Sequence, residues 1–331
     1  MRAAAAAPTT KPDLRDEMTS GLSNPLAKIA MKVIIVATIN PATREMAKTS
    51  RILTSVMLLP RGPHSRGRGS NRKFELRIAC PSFMDLERNG RGDRFREIRV
   101  SKILGGIGGA YLLLCFLVPM AMPEGSVPQL SGRANALDYA TESSWGNTNG
   151  GESGDMGHDQ LLHGGPFAWK NLNPVFAFTY AFGDLNCHQK HERSWEINGN
   201  QMPVCTRDIG IFLGFVIGAA LFGSRGLNRW TIRDTFLSVF PDELLENTYA
   251  NDERMRNMII LLALGIVPMA IDGFTQLLTD YESINPLRLT TGMAAGLVTG
   301  WFVCASLCAR ASGFEGASSV ILPHGAKLIQ K

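Results

Sequence analysis

The stretch VCTRDIGIFLGFVIGAALFG, residues 204–223, decides the fold of this 331-residue chain. It carries no charge after its first five residues, and about 20 mostly apolar residues of helix are enough to cross the hydrocarbon core of a bilayer. Gly210, Gly214 and Gly218 recur at every fourth residue, which places them on one face of a helix. The stretch therefore predicts a transmembrane helix that approaches a neighbour closely through its glycine face.

Three further apolar runs are long enough to span, so the predicted spans are 103–122, 204–223, 258–278 and 290–310. A single run of this kind could also be a buried helix of a soluble protein. Four runs separated by charged loops favour a membrane protein, even though the mean hydropathy of the whole chain is close to zero. We therefore predict an all-α membrane protein whose transmembrane domain covers residues 103–311 and whose partner is the lipid bilayer.

The distribution of charge predicts the orientation. Residues 1–102 are strongly basic and without sustained periodicity, which predicts a largely disordered cytoplasmic region, with no nucleic acid expected as a partner. The loop 123–203 is richer in acids and is expected outside, while arginines follow the second span and a cytoplasmic tail, 312–331, follows the fourth. The predicted location is the cell membrane, multi-pass, with both termini in the cytoplasm.

The external loop has two unlike parts. Residues 131–160 are rich in Gly, Ser, Asn and acids, which predicts a flexible segment. The following PFAWKNLNPVFAFTYAFGDLN, residues 166–186, is aromatic but too short after its second proline to span. We expect an aromatic-rich helix at the outer membrane interface, with a fifth, kinked span as the alternative.

The fourth span repeats the glycine pattern of the second. Gly292, Gly296 and Gly300 are again four residues apart. Small residues at this spacing allow two helix backbones to approach closely, so the second and fourth spans are expected to be in contact.

Four residues with reactive or metal-binding side chains lie around the start of the second span: Cys187, His188, Cys205 and Asp208. The cysteines could form a disulfide, which persists outside the cytoplasm. Together with an imidazole and the aspartate they could instead bind zinc or another divalent metal. A third interpretation is a reactive thiol activated by His188 and by nearby Arg207.

Further polar residues are expected on the same side of the membrane. Asp272 lies in an otherwise apolar span, where an ionisable group is costly enough to indicate a functional site. Because charges near lipid are usually paired, we expect Arg193 and Arg207 to be partners of Asp272 and Glu282. The candidate supporting residues are Glu192, Arg193, Arg207, Asp272, Gln276, Glu282 and Arg288.

Several motifs occur in a characteristic order: CHQ with ERSW close behind, then NGNQMPVCTRDIGIFLG, DGFTQLL and ESINPLRLTTG. In this order, over about residues 170–305, the chain resembles a prokaryotic membrane-protein family known as domain of unknown function 2085. Many members of that family have Cys-x-x-Cys where this chain has Cys205-Thr-Arg-Asp208. The resemblance therefore implies a membrane location and supports the Cys187 and Cys205 pair, whereas the aspartate weakens a thiolate-rich metal site and favours the disulfide.

Three hypotheses for the function remain open. The first is a metal-binding or redox site at the outer membrane face. The second is a transporter or channel for a small solute or a lipid, with Asp272 as its intramembrane charge, and the third is a structural membrane protein stapled by a disulfide between Cys187 and Cys205. No Walker-type loop, nucleophile elbow or HExxH motif occurs in the sequence, and whether the protein is an enzyme stays open.

Overall fold

A computed structural model describes residues 93–132, 137–148 and 159–328. The helices are, in chain order, α1 (Phe95–Ala121), α2 (Trp145–Thr148), α3 (Pro174–Asn186), α4 (Thr206–Arg225), α5 (Ile232–Leu237), α6 (Asp242–Ala250), α7 (Arg254–Leu278) and α8 (Asn285–Cys308). A two-stranded antiparallel hairpin, β1 (Glu196–Ile197) and β2 (Asn200–Gln201), precedes α4. Short 3-10 turns lie at Trp169–Asn171, His191–Arg193, Ala311–Gly313, Ala317–Ser319 and Pro323–Gly325.

Four of these helices, α1, α4, α7 and α8, are long and apolar enough to cross a membrane. This confirms the all-α membrane fold with four transmembrane helices. The helices extend beyond the apolar runs, so that α1 begins at Phe95 and α7 at Arg254, and α8 begins next to Pro286, whose fixed φ suits a first helical turn. The sequence predicted disorder over residues 1–102. Residues 1–92 lie outside the described residues, and from Phe95 onward the chain is helical.

A seam of glycines joins α4 to α8, as predicted. A Cβ atom added at Gly214 would lie 2.1 Å from the carbonyl oxygen of Met293, and one added at Gly296 would lie 2.1 Å from that of Ile211. These distances are far below any real Cβ contact, so each backbone touches the other directly and in both directions. The α4–α8 seam is the centre of the bundle, and α1 and α7 pack against it.

The described part of the loop 123–203 forms a folded layer on one end of the bundle. Its core contains Leu130, Tyr139, Phe167 and Tyr180, all buried. Buried side-chain amides bridge its segments, which is why a polar sequence can still fold here. The prediction of a flexible segment over 131–160 is therefore wrong for residues 137–148, while 133–136 and 149–158 lie outside the described residues.

The aromatic helix predicted at the outer interface is α3. Asn173 caps it by accepting hydrogen bonds from the backbone N–H groups of Val175 and Phe176, both at 3.1 Å. With 13 residues α3 is too short to span, which removes the alternative of a fifth span. Phe178 is exposed on one face and Asp184 is buried on the other, where its carboxylate accepts hydrogen bonds from Tyr139 N and Trp169 Nε1, both at 2.9 Å.

The opposite end of the bundle is closed by α5, α6 and the segment 311–328. Arg229 and Arg254 are fully buried there and pair with Asp242 (2.6 Å) and Asp252 (2.7 Å). Arg254 also donates to the backbone carbonyl of Lys327 at 3.3 Å, which fixes the C-terminal segment against the helices. The arginines after the second span were expected to mark the cytoplasmic side, and the structure shows that Arg229 is part of a packed core.

Candidate functional site

The two cysteines of the candidate site are brought together by the ends of two helices. Cys187 is the C-terminal cap of α3, and Cys205 is the N-terminal cap of α4. Asp208 follows one turn into α4. The two sulfur atoms and a carboxylate oxygen of Asp208 all lie within 4.8 Å of one another, and all three residues are half-buried.

Hydrogen bonds connect the three residues. The backbone N–H of Cys205 donates to Cys187 Sγ at 3.1 Å, and the Cys205 thiol donates to Asp208 Oδ2 at 3.3 Å. The hydrogen bond between the two thiols, burial and the negative charge of Asp208 together raise the pKa of Cys187 well above its ordinary value. In the absence of a cation, Cys187 is therefore a protonated thiol at neutral pH.

The three interpretations of the cysteines can now be compared with the geometry. Both cysteines are free thiols, so the disulfide that the sequence favoured is not formed in this structure. A raised pKa is also the opposite of what activates a nucleophilic thiol. The two sulfurs and the carboxylate oxygen lie close enough together that they could ligate one cation.

Two of the predicted residues stand apart from this cluster. His188 is exposed and does not belong to the group of closely spaced ligand atoms among the described residues. This agrees with the sequence, because the side chains of two adjacent residues such as Cys187 and His188 do not easily point at one ion. Glu192 is exposed and lies 3.9 Å from the Lys190 ammonium, on the surface.

Asp272 lies at the centre of a polar network between α4 and α7. Its Oδ2 pairs with Arg207 Nη2 and accepts hydrogen bonds from Gln276 Nε2 (2.9 Å) and Ser283 Oγ (3.2 Å). Asp272 is 6% exposed, so the charge of Arg207 compensates a buried carboxylate. The charge argument predicted an arginine partner for Asp272, either Arg193 or Arg207, and the structure shows that it is Arg207.

A second group of ion pairs continues this network toward the solvent. Arg193 contacts Glu282 with two hydrogen bonds, Nε to Oε1 at 2.7 Å and Nη2 to Oε2 at 3.1 Å. Arg288, which is 1% exposed, donates from Nη2 to Glu282 Oε1 at 2.7 Å and to Gln276 Oε1 at 2.6 Å. Burial alone would raise the pKa of Glu282, but the hydrogen bonds and charge of Arg193, with Arg288, hold it below its ordinary value.

The structure also contains site residues that the sequence does not single out. Gln189 is buried between the two cysteine segments, and Ser283 bonds to Asp272. Behind the cysteines, Tyr111 and Cys115 of α1 form a buried wall. A glutamine or serine in a polar loop gives no signal of burial by itself, so its partners could be found only from the fold.

Comparisons with known proteins agree with the fold. Residues 187–302 match the family described as predicted membrane protein, domain of unknown function 2085 (DUF2085). The matched segment starts at the first cysteine of the candidate site and ends within α8. It therefore contains α4, α7, most of α8, the cluster of Cys187, Cys205 and Asp208, and the polar network.

Two archaeal relatives are similar to this part of the chain. An uncharacterized protein of Methanocaldococcus jannaschii is 32% identical over 124 residues, which is 38% of this chain and 65% of the relative, so the chain spans less than two thirds of that protein. An uncharacterized protein of Methanothermobacter thermautotrophicus is 35% identical over 111 residues, 34% of this chain and 78% of the relative. No solved structure matches the chain. On these similarities the chain belongs to the family of predicted membrane proteins of domain of unknown function 2085.

Proposed function

We propose that this protein is a multi-pass cell-membrane protein that binds a divalent cation of the zinc class through Cys187, Cys205 and Asp208. One observation carries the proposal: the two sulfurs and a carboxylate oxygen lie within 4.8 Å of one another at the junction of α3 and α4. Thiolate sulfur and carboxylate oxygen are ordinary zinc ligands. Three protein ligands leave a fourth position for water or a substrate, which is the arrangement of zinc sites that perform chemistry.

The chemistry of the free site supports a cation more than a reactive thiol. Bound metal replaces protons on its thiol ligands, so a site with a protonated Cys187 takes up metal and releases protons. The raised pKa of Cys187 makes this uptake depend strongly on pH. A cation would also compensate the charge of Asp208, whose carboxylate hydrogen-bonds with the thiols of both Cys187 and Cys205.

We further propose that this site faces the outside and that both termini are cytoplasmic. The described ends of α1, α4, α7 and α8 that lie away from the site carry a surplus of arginine and lysine, which favours the cytoplasmic side. At this end Arg94 donates to the carbonyls of Gly223 (2.7 Å) and Gly226 (3.0 Å), and Arg96 donates to that of Leu307 (2.7 Å). The cysteine cluster lies at the opposite end of the same helices.

The test is metal analysis of the protein purified in detergent, combined with thiol counting. We expect about one zinc per chain in the wild type, strong loss of metal in Cys205→Ser and Asp208→Asn, and no loss in Cys304→Ala. Cys304 is a suitable control because it is a buried thiol of α8 that lies in the apolar core. If the folded wild-type protein holds no metal after incubation with zinc, and both site thiols titrate as free, the proposal is wrong.

A further inference from the structure

Gln189 occupies an unusual position between the two segments that carry the cysteines. It lies two residues after Cys187, is 1% exposed, and has a positive φ of 47°. A long polar side chain in this backbone conformation is uncommon, since residues other than Gly, Asn and Asp rarely adopt it. The chain turns here so that the amide of Gln189 points inward, away from water.

The amide of Gln189 connects the two cysteine segments directly. Its Nε2 donates to the carbonyl of Pro203 at 2.7 Å and to that of Tyr180 at 3.5 Å. Gln189 lies two residues after Cys187, and Pro203 lies two residues before Cys205. The bond therefore links the segment that follows the first cysteine to the segment that precedes the second. Both acceptors are carbonyls, and therefore only the NH2 end of the amide can face them.

Two further contacts fix the same junction. The backbone carbonyl of Gln189 accepts a hydrogen bond from Gln201 Nε2 at 2.6 Å, and its N–H points to Cys187 Sγ at 3.5 Å. A Cβ at Gly183 would lie 2.0 Å from the Pro203 carbonyl, so α3 also approaches this segment closely. The Oε1 atom of Gln189 has no hydrogen-bond partner among the described residues. The side chain is thus oriented so that its NH2 group bonds to the Pro203 carbonyl, although this leaves its own Oε1 buried without a hydrogen bond in the described part of the chain.

We infer that Gln189 is a positioning residue that sets the distance between the thiols of Cys187 and Cys205. Without its side chain, the junction loses the bonds to the carbonyls of Pro203 and Tyr180. It keeps the bond from Gln201 to the Gln189 backbone carbonyl and, at the sulfurs themselves, the hydrogen bonds between Cys187 and Cys205. The effect on metal binding rests on the proposed function, whereas the effect on the thiol distance does not. These two consequences can be measured separately.

The structure offers a matched control for this glutamine. Gln160 is also 1% exposed in the same layer, and its Nε2 also donates to two carbonyls, those of Gln129 (3.0 Å) and Gly165 (3.1 Å). Gln189→Met and Gln160→Met therefore each remove a buried amide that donates to two carbonyls and keep a side chain of similar length. Gln160→Met also removes the acceptor of the Ser131 N–H, so it is the more demanding control. Only the first alters the junction between the cysteines.

The first measurement is the rate at which Cys187 and Cys205 form a disulfide in detergent-solubilised protein. Diamide, which accepts the two hydrogen atoms of the thiols, is the oxidant, and the linked peptides are quantified by mass spectrometry. We expect the rate in Gln189→Met to fall by about tenfold, because the two thiols no longer share a fixed geometry, and the rate in Gln160→Met to stay near that of the wild type. Equal rates in Gln189→Met and the wild type would overturn the inference.

The second measurement is the affinity for Co²⁺, which reports thiolate ligation through its absorption bands. We expect a loss of about tenfold or more in Gln189→Met, in line with residues that orient metal ligands, and little change in Gln160→Met. If the wild type binds no Co²⁺ but the disulfide rate still falls in Gln189→Met, the proposed function fails and the positioning role stands. If Gln189→Met does not elute as a monodisperse protein, Gln201→Met replaces it, since it removes the bond to the Gln189 carbonyl and is expected to slow the same reaction.

Discussion

Arg207 of α4 and Asp272 of α7 form an ion pair inside the bundle, directly beside the candidate cation site. Arg207 directly precedes Asp208 in the chain, so both lie in the first turn of α4. Arg207 contacts α7, whereas Asp208 is a candidate ligand of the cation. Gln276 and Ser283 add hydrogen bonds to the same carboxylate oxygen of Asp272. The pair therefore ties α7 to the part of α4 on which the site is built.

Removing one partner of this pair is expected to destabilise the protein. In Asp272→Asn the Arg207 guanidinium loses its counter-charge, and breaking a buried pair in this way costs about 3–5 kcal/mol. Arg207 keeps one fifth of its side chain exposed, so the cost is expected near the lower end of that range. Thermal unfolding in detergent measures the loss, and the double variant Arg207→Met with Asp272→Leu is expected to recover stability. A double variant as unstable as Asp272→Asn would show that the charge is not the cause.

Adding a single methyl group in the α4–α8 seam is expected to disrupt the fold. In Gly214→Ala the new Cβ would meet the Met293 carbonyl, and the overpacking is expected to cost more than the about 1–3 kcal/mol of a tight core. Gly106→Ala is the matched control, because it is also in a spanning helix but has nothing within 4 Å of its new Cβ. Size-exclusion profiles and melting temperatures compare the two. Equal stability of both variants would contradict the direct backbone contact.

The reactivity of Cys187 is expected to depend on pH in an unusual way. Because its pKa is raised, the fraction of thiolate, and with it the rate of alkylation by iodoacetamide, should increase about tenfold per pH unit and continue to rise above the ordinary thiol pKa of about 8.5. The raised value also means that the thiol contributes stability below the ordinary pKa and loses this contribution as the pH rises toward the raised one. Peptide-resolved mass spectrometry of metal-free protein gives the pH profile. A plateau at or below about pH 8.5 would be inconsistent with a raised pKa.

The proposed orientation of the bundle predicts which residues can be labelled from outside the cell. Ser143 and Asp280 are exposed at the end that carries the site, and Glu243 is exposed at the other end. In a Cys187→Ser, Cys205→Ser background, Ser143→Cys and Asp280→Cys are expected to react with a membrane-impermeant maleimide in intact cells. Glu243→Cys should react only after permeabilisation. The reverse pattern would place the site in the cytoplasm.

The parts of the fold that follow from periodicity were predictable from the sequence. Apolar length determined the four spans, and the spacing of Gly214 and Gly296 predicted the α4–α8 contact, because both depend only on the repeat of one helix. That Arg193 or Arg207 would pair with Asp272 followed from the cost of an isolated charge near lipid, and the structure assigns Arg207 to it. These inferences depend on the transmembrane helices alone and not on the structure of the loops between them.

The folded layers at the two ends were not predictable in the same way. Gln160, Gln189 and Gln201 are buried because each finds partners from distant parts of the chain, whereas their residue type indicates exposed loops. Arg229 and Arg254 are buried for the same reason, although the charge of Arg229 suggested only the cytoplasmic side. At the site, the sequence identified both cysteines and Asp208 but favoured a disulfide, since spacing contains no information on the direction of the sulfur atoms.

The glycine seam also limits how this protein can move. The backbones of α4 and α8 touch at Gly210, Gly214 and Gly218. Sliding one helix along the other would make carbonyl oxygens clash with Cα atoms, so we expect the two helices to move as one rigid unit. If the bundle opens, α1 or α7 must therefore move relative to the pair of α4 and α8. Because Asp272 of α7 pairs with Arg207, the neighbour of Asp208, a change of charge at Asp208 would act close to one of the contacts that hold α7 against α4 and α8.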